Sequence, residues 1–240
     1  MEKLYLVIPV YNEQANIKNV IEQWYPIVDK HNANGESRLV LIDDGSKDDT
    51  YSIMQECAKK YPLMEIMTKP NEGHGATVLY GYQYAIKNGA KYIFQTDSDG
   101  QTLPSEFEQF WNCKQDYEMV IGHRSKREDG ISRYFVTKIL KLTLKLCFGV
   151  NVTDANTPFR LMKADILKEN LNYIPEKFNL SNVIISVLYA KKNYKVNYIP
   201  ITFRPRQGGE NSINFRKIVK IGWQAIKDFR KINQTLKQIK

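Results

Sequence analysis

The sequence predicts an α/β protein, a mostly parallel sheet with helices on both faces, and three observations carry that prediction. Short apolar runs such as Leu4–Ile8 and Arg38–Ile42 have the length and character of buried strands. Segments of helical length, with apolar residues at helical spacing, separate them. The polar corners that follow, Pro9 to Tyr11, Asp43-Asp44, Gly73 to Gly75 and Asp97 to Asp99, all fall at strand ends. In such sheets ligands sit beyond the carboxyl ends of the strands, so these distant segments converge on one rim.

Each element has its own warrant. Pro9 ends the first strand, and Asn12 caps a helix from about Glu13 to Asp29 that turns Ile17, Val20, Ile21 and Trp24 to one face. The second strand stops at Asp43-Asp44-Gly45-Ser46; Ser46 or Asp48 caps the helix carrying Ile53, Met54 and Cys57. Met64–Met67 is a weaker third strand. Gly73-His74-Gly75 opens a helix with Val78, Leu79, Tyr82 and Ile86 inward, which Gly89 ends. Lys91–Gln95 is the fourth strand, Leu103-Pro104 starts a helix, and Tyr117–Gly122 is the fifth strand. Ser132–Phe148 is helical in pattern and apolar over more than half its circumference. Asn156–Met162 reads as an edge-like strand, Leu180–Ala190 as a helix and Tyr194–Phe203 as a strand. Ile213–Ile239 is a long amphipathic helix with Phe215, Ile218, Ala225, Phe229, Ile232 and Leu236 on one face. The division expected is a catalytic domain over 1–212, its halves meeting at 124/125, and a basic amphipathic helix over 213–240.

With 42% hydrophobic and 25% charged residues in 240, the composition is ordinary for a globular protein with a proper core. Cys57, Cys113 and Cys147 are scattered and odd in number, which points to buried thiols in a reducing compartment. No apolar run approaches the ~20 residues that span a bilayer, and the chain enters a strand at once, without a signal peptide. The expectation is a cytoplasmic protein. Of the net charge of +9, the stretch from Arg204 onward carries +8, ten Lys and Arg against Glu210 and Asp228. Such a tail seeks anionic lipid, nucleic acid or a phosphorylated ligand.

The chemistry centres on Thr96-Asp97-Ser98-Asp99-Gly100-Gln101. Two carboxylates one residue apart at a strand end cannot both bury without a counter-charge. A hard divalent cation, Mg²⁺ or Mn²⁺, supplies one while gripping a substrate diphosphate. A polar turn with an N-cap has the same composition, and the other rim segments weigh against it.

Taken together the chain resembles family 2 glycosyltransferases of the GT-A fold, and within them the dolichyl- and polyprenyl-phosphate sugar synthases. The resemblance rests on Val7–Glu13, Val40–Ser46, Asn71–Gly81, Thr96–Gln101, Gly122-His123-Arg124 and Arg206–Ser212, in that order and spacing. It implies a metal-dependent, inverting sugar transfer from a nucleotide sugar, UDP- or GDP-linked. It places Pro9, Tyr11, Glu13, Ile42, Asp44, Asp97 and Arg206 at the donor, and Asp97, Asp99 and Gln101 at the metal. Arg124 matches an arginine that contacts phosphate, and Arg206 the arginine of a loop that closes over the diphosphate. Of Asp43 and Asp44, one is expected mainly to cap a helix. The Gly73-His74-Gly75 loop either donates backbone N–H groups to an anion or is a plain turn.

The acceptor follows from what is missing. Relatives that join sugar to sugar place a carboxylate before the helix matching Leu180–Ala190, and Phe178-Asn179-Leu180-Ser181-Asn182 has none. An ionised phosphate acceptor needs no base, only cations. Arg133 matches an acceptor-phosphate arginine. For the second basic residue strict spacing gives Thr137, with Lys138 one position on. Asp154 aligns with an acid that serves as base or orienting group. A cationic stripe beside an apolar face, in Ser132–Phe148 and above all in the tail, suits an anionic membrane surface. The favoured reading is thus a peripheral enzyme at the inner membrane face, alone or with a membrane-protein partner, acting on a polyprenyl phosphate. Transfer to a saccharide hydroxyl of a lipid-linked acceptor comes second. A nucleic-acid-binding protein would show salt-sensitive, metal-independent binding, and the tail lacks aromatics at stacking intervals. A nucleotidyltransferase would carry a Gly-rich loop where Pro9-Val10-Tyr11 stands.

Overall fold

The computed structural model describes residues 2–32, 34–124, 130–206, 224–225, 227–234 and 236, with side chains at 124 and 130–137 outside that description. Its elements are β1 (Leu4–Val10), α1 (Ile17–Lys30), β2 (Arg38–Asp43), α2 (Thr50–Ala58), β3 (Met64–Thr68), α3 (His74–Lys87) and β4 (Tyr92–Gln95). After a 3₁₀ turn come α4 (Phe107–Asn112), β5 (Met119–Arg124), α5 (Gly130–Phe148), β6 (Arg160–Lys163), α6 (Ala164–Leu171), α7 (Ser181–Lys191) and β7 (Val196–Ile201).

The strands form one sheet in the order β3-β2-β1-β4-β6-β5-β7. All pairings are parallel except those of β6, which runs against both β4 and β5. The carboxyl ends of β1, β2, β3, β4, β5 and β7 therefore share one rim. The chain winds outward from β1 through β2 to β3, then returns to place β4 on the other side of β1. The crevice between β1 and β4 is thus the switch point where such sheets hold ligands.

Strand side chains alternate between faces. Leu4, Leu6 and Ile8 pack with α1, α2 and α4, while Tyr5 and Val7 pack with α3 and α7. The contact of α3 is close: a Cβ on Gly81 would lie 2.5 Å from Val7 Cγ1 and 2.8 Å from Ile42 Cδ1.

Four expectations need correction. Helix α1 begins at Ile17 rather than Glu13, because Asn12 takes a left-handed φ of 53° and ties two loops together instead of capping. The strand expected at an edge, β6, lies inside the sheet, since Arg160 is buried with its charge wrapped in carbonyls rather than directed to solvent. Helix α6 was not anticipated. The described residues of the tail, 224–225, 227–234 and 236, are helical, but Ala225, Phe229 and Ile232 are buried. Phe229 meets Phe148 at 5.4 Å and Phe178 at 6.2 Å between ring centroids, and Asn233 Nδ2 donates to the Cys147 carbonyl at 2.7 Å. Over these residues the apolar face of the tail belongs to the protein core and not to a membrane. Phe215 and Ile218 lie outside the described residues. Among the described residues no helix is long and apolar enough to cross a membrane.

Candidate active site

The rim is stitched from one strand exit to the next. Asp44 N donates to the Val10 carbonyl at 2.8 Å, Lys69 N to the Asp43 carbonyl at 3.0 Å and Thr96 N to the Val7 carbonyl at 3.3 Å. Asn12 N donates to Ser46 Oγ at 2.9 Å, and its Oδ1 accepts from Lys47 N at 2.8 Å. The exits of β1 and β2 are thereby locked together, leaving Tyr11 exposed between them.

Of the residues expected at the donor, Pro9 is a buried member of β1 and Ile42 is wholly buried beneath α3. They shape the rim from below. Asp43 is turned into the Gly45 corner, accepting from Ser46 N and, at 2.8 Å, from Thr68 Oγ1. Asp44 does not cap a helix either. It is 3% exposed, pairs with Lys69 Nζ at 2.7 Å and accepts from Glu72 N at 3.0 Å and Gly73 N at 2.8 Å. Asp44 thereby fixes the loop that feeds α3. Lys69, the partner of Asp44, is not pointed to by the sequence: a lysine beside a proline after a weak strand carries no signal. Glu72 extends the chain of charges from Lys69 to Lys177, at 3.3 and 2.6 Å.

The acidic run emerges from β4 as expected. Thr96 and Thr102 close its base through a 2.7 Å hydroxyl contact, Gly100 takes a left-handed φ of 70°, and Gln101 N donates to Asp99 Oδ1 at 3.1 Å. His74 Nε2 stands 2.9 Å from Asp97 Oδ1. Desolvation opposes the imidazolium, but the charge and hydrogen bond of Asp97, with Asp99 and Asp44 behind it, raise its pKa above the ordinary value. The Gln101 side chain turns away from the carboxylates: Nε2 donates to the Arg204 carbonyl at 3.0 Å, and Arg204 N returns a bond to the Gln101 carbonyl at 2.8 Å. The chain after β7 is thus strapped across the acidic loop, and it delivers Arg206 onto Glu13 as an ion pair. Glu13 is 4% exposed; burial pushes its carboxyl pKa up, against the pull of Asn16 and Arg206. The charge of Asp99 bears on both Glu13 and His74.

On the acceptor side, Arg124 ends β5 on the same rim, and its side chain, like that of Arg133 in α5, lies outside the described residues. Lys138 stands on the exposed outer face of α5. Asp154 is half-buried in the loop before β6, where Oδ1 accepts from Asn156 N at 3.3 Å. Arg160 holds that loop from beneath, its guanidinium reaching the carbonyls of Ala155, Thr157 and Asn182.

Among the described residues no three His, Cys, Asp or Glu side chains converge as a metal-binding group. The donor set at the end of β4 nonetheless fits Mg²⁺ or Mn²⁺, which take one or two carboxylates and complete their shell with substrate phosphate and water. Asp97 and Asp99 are the residues that would hold it.

Comparison with known proteins identifies the family and agrees with the fold. The description "Glycosyl transferase family 2" matches residues 5–171. The chain belongs to glycosyltransferase family 2. Its sequence is 27% identical over 219 residues to the UDP-N-acetylglucosamine–dolichyl-phosphate N-acetylglucosaminyltransferase of Methanococcus voltae, covering 82% of this chain and 84% of that one. It is 22% identical over 222 residues to the polyprenol monophosphomannose synthase of Mycolicibacterium smegmatis, covering 89% and 82%. Among solved structures, glucosyl-3-phosphoglycerate synthase from Mycobacterium tuberculosis, in complex with Mn²⁺, UDP and glucosyl-3-phosphoglycerate, aligns with a TM-score of 0.68 at 15% identity over 97% of this chain and 80% of that one. The fold is GT-A, and the protein is a glycosyltransferase with relatives that act on polyprenyl-type phosphates.

Proposed function

We propose that this glycosyltransferase moves a sugar from a nucleotide diphosphate sugar, UDP-linked before GDP-linked, to the phosphate of a polyprenyl-type lipid at the cytoplasmic face of a membrane. One observation carries the reading. The segment leading into α7 packs hard against the start of α3, where a Cβ on Gly75 would fall 2.3 Å from the Phe178 carbonyl oxygen. It brings Asn179 rather than a carboxylate to that place. A sugar hydroxyl would need a base there; a lipid phosphate is already ionised.

When bound, the divalent cation supplies Lewis-acid stabilisation to the departing diphosphate. Asp97 and Asp99 orient the charge of that site. The Asp44–Lys69 pair holds the loop that leads into α3 on the donor side, and Glu13 keeps Arg206 poised beside the diphosphate. By the family resemblance Arg124 contacts phosphate, and Arg133 meets that of the acceptor. Its oxygen attacks C1 as the C1–oxygen bond to the diphosphate breaks, which inverts the anomeric centre. The names of the relatives from Methanococcus voltae and Mycolicibacterium smegmatis support the acceptor class, and the Mn²⁺–UDP complex supports the cation and nucleotide.

The test is transfer of label from UDP- and GDP-sugars to a polyprenyl phosphate and, in parallel, to a lipid-linked saccharide. The expected product is a labelled lipid labile to mild acid, lost on chelation and restored by Mn²⁺ or Mg²⁺. Label found only in an acid-stable saccharide would overturn the phosphate acceptor and give Asp154 the role of base.

A further inference from the structure

Over its described side chains, 138–148, helix α5 has two apolar faces, and one of them is buried. Leu144 and Phe148 are buried in the core, with Leu140 and Cys147 packed against it. On the opposite side Ile139, Leu142 and Leu146 are 63, 58 and 77% exposed, and among the described residues the other large exposed hydrophobics are Tyr11 and Tyr80. At 3.6 residues per turn the three fall within about 60° of one another around the helix axis. Lys138, Lys141 and Lys145, all exposed, form a second stripe directly beside them. A contiguous apolar patch edged by one sign of charge marks a surface that meets something apolar and anionic.

From this we infer that the outer face of α5, not the tail, docks the enzyme on an anionic lipid bilayer, with Ile139, Leu142 and Leu146 entering the headgroup–acyl boundary and the lysines meeting lipid phosphates. The inference rests on the lipid acceptor argued above and says how that acceptor is approached. Charge complementarity selects the occupant: a soluble protein partner of ordinary composition would not demand the paired stripes, and a second copy would set lysines against lysines. Placement agrees. Helix α5 begins at Gly130, shortly after β5 ends on the rim at Arg124, and the patch starts about 14 Å down the helix at 1.5 Å per residue. A cleft of ≈ 320 Å³ also opens beside Lys141, lined by Asn151, Val152 and Thr153, and is of a size for a lipid headgroup. The tail offers no rival apolar surface over its described residues, because Ala225, Phe229 and Ile232 are buried.

The experiment is co-sedimentation of the full chain with phosphatidylcholine vesicles with and without phosphatidylglycerol. Two double variants accompany the wild type, Leu142→Gln with Leu146→Gln and Lys141→Gln with Lys145→Gln. The wild type is expected to sediment only with the anionic vesicles, and loss of two membrane-facing lysines to weaken binding about thirtyfold. The glutamine-for-leucine pair should abolish binding. Both variants should melt as the wild type does, since the positions are exposed, and should retain transfer to a short, water-soluble polyprenyl phosphate. Equal binding by wild type and variants, or no binding by the wild type, overturns the docking face. A wild-type dimer that the leucine variant dissociates overturns it in favour of self-association. Docking lost while transfer to the soluble acceptor persists leaves the proposed reaction standing; docking intact with no transfer to any polyprenyl phosphate refutes the reaction alone.

Discussion

Replacing Arg160 with methionine tests how the acceptor side of the rim is held. The guanidinium is wholly buried, and its five N–H groups are all spent on neutral oxygens. Nε donates to the Thr157 carbonyl at 3.0 Å, Nη1 to the Asn182 carbonyl at 3.0 Å and Ser186 Oγ at 3.4 Å, and Nη2 to the Ala155 and Thr157 carbonyls at 3.3 and 2.6 Å. Burial lowers its pKa, while the tyrosines Tyr82 and Tyr198 and the acids Asp154 and Asp97 pull the other way. In Arg160→Met the Ser186 hydroxyl, 3.1 Å from the Ala155 carbonyl and 2.9 Å from that of Asn182, still serves one of these at a time. The Thr157 carbonyl loses both its guanidinium donors. One orphaned buried carbonyl costs about 1–3 kcal/mol, and the weaker bonds add about 1 kcal/mol. Together these give about 2–4 kcal/mol, so about 3 kcal/mol is expected. For a chain of this length that lowers the melting temperature by about 6–12 °C, read by calorimetry or circular dichroism. Arg160→Lys, which keeps the charge without the planar fork, should lose about half as much. Because the clamp acts on the loop bearing Asp154, KM for the acceptor should rise while KM for the nucleotide sugar holds. A methionine variant that melts within about 2 °C of wild type would refute the arithmetic, because that corresponds to only ~1 kcal/mol or less. Equal changes in both KM values would refute the assignment to the acceptor side.

Further outcomes follow from the rim. In Asp99→Asn the thermal shift given by UDP with Mn²⁺ should vanish while the apo protein melts normally, and transfer should fall at least about a hundredfold; an unchanged metal response would remove the cation from this site. Gly75→Ala sets a methyl 2.3 Å from the Phe178 carbonyl oxygen and 2.4 Å from that of Asn179. Backbone cannot swing aside as a side chain would, so a loss of about 1–3 kcal/mol in urea denaturation is expected, and an undisturbed midpoint would mean α3 and α7 do not meet so closely. Glu13 gives a pH signature. Burial holds its native pKa above that of the unfolded chain, so the native state binds the proton more readily and stability is lost as pH rises through the native pKa. Glu13→Gln should flatten that acid-to-neutral slope and raise KM for the donor as Arg206 loses its partner; identical slopes in the two proteins would rule the carboxyl out as the titrating group.

The β1 to β4 half of the fold is legible because β1 and the middle of β2 are continuous apolar runs and α1 carries one clear apolar face, with β3 the weakest of its strands. Legibility failed where a polar residue was buried by long-range contact. Arg160 interrupts the short apolar run Phe159-Arg160-Leu161-Met162 with a charge, a pattern that suits an edge strand, yet its solvent is replaced by carbonyls from residues up to 22 positions away. The tail misled for the complementary reason. An apolar stripe opposite lysines describes a helix on a membrane and a helix on a protein equally well, and only the place of Phe229 between Phe148 and Phe178 separates them.

At the site, motif spacing located Asp97, Asp99, Glu13 and Arg206 in one neighbourhood, because each sits at or near a strand exit and the sheet order brings those exits together. What spacing could not convey is which acids are already neutralised by the chain. Asp44 is balanced by Lys69 and Glu13 by Arg206, while Asp97 has the half-exposed His74. The first two pairs are buried carboxylates with fixed cations, the arrangement that holds loops in place. The pairing at Asp97 is of another kind, since its partner is a half-exposed imidazole whose pKa the neighbouring carboxylates raise. Asp44 and Glu13 are therefore tied into the loops of the rim, while the partner of Asp97 is the one that stands half-exposed.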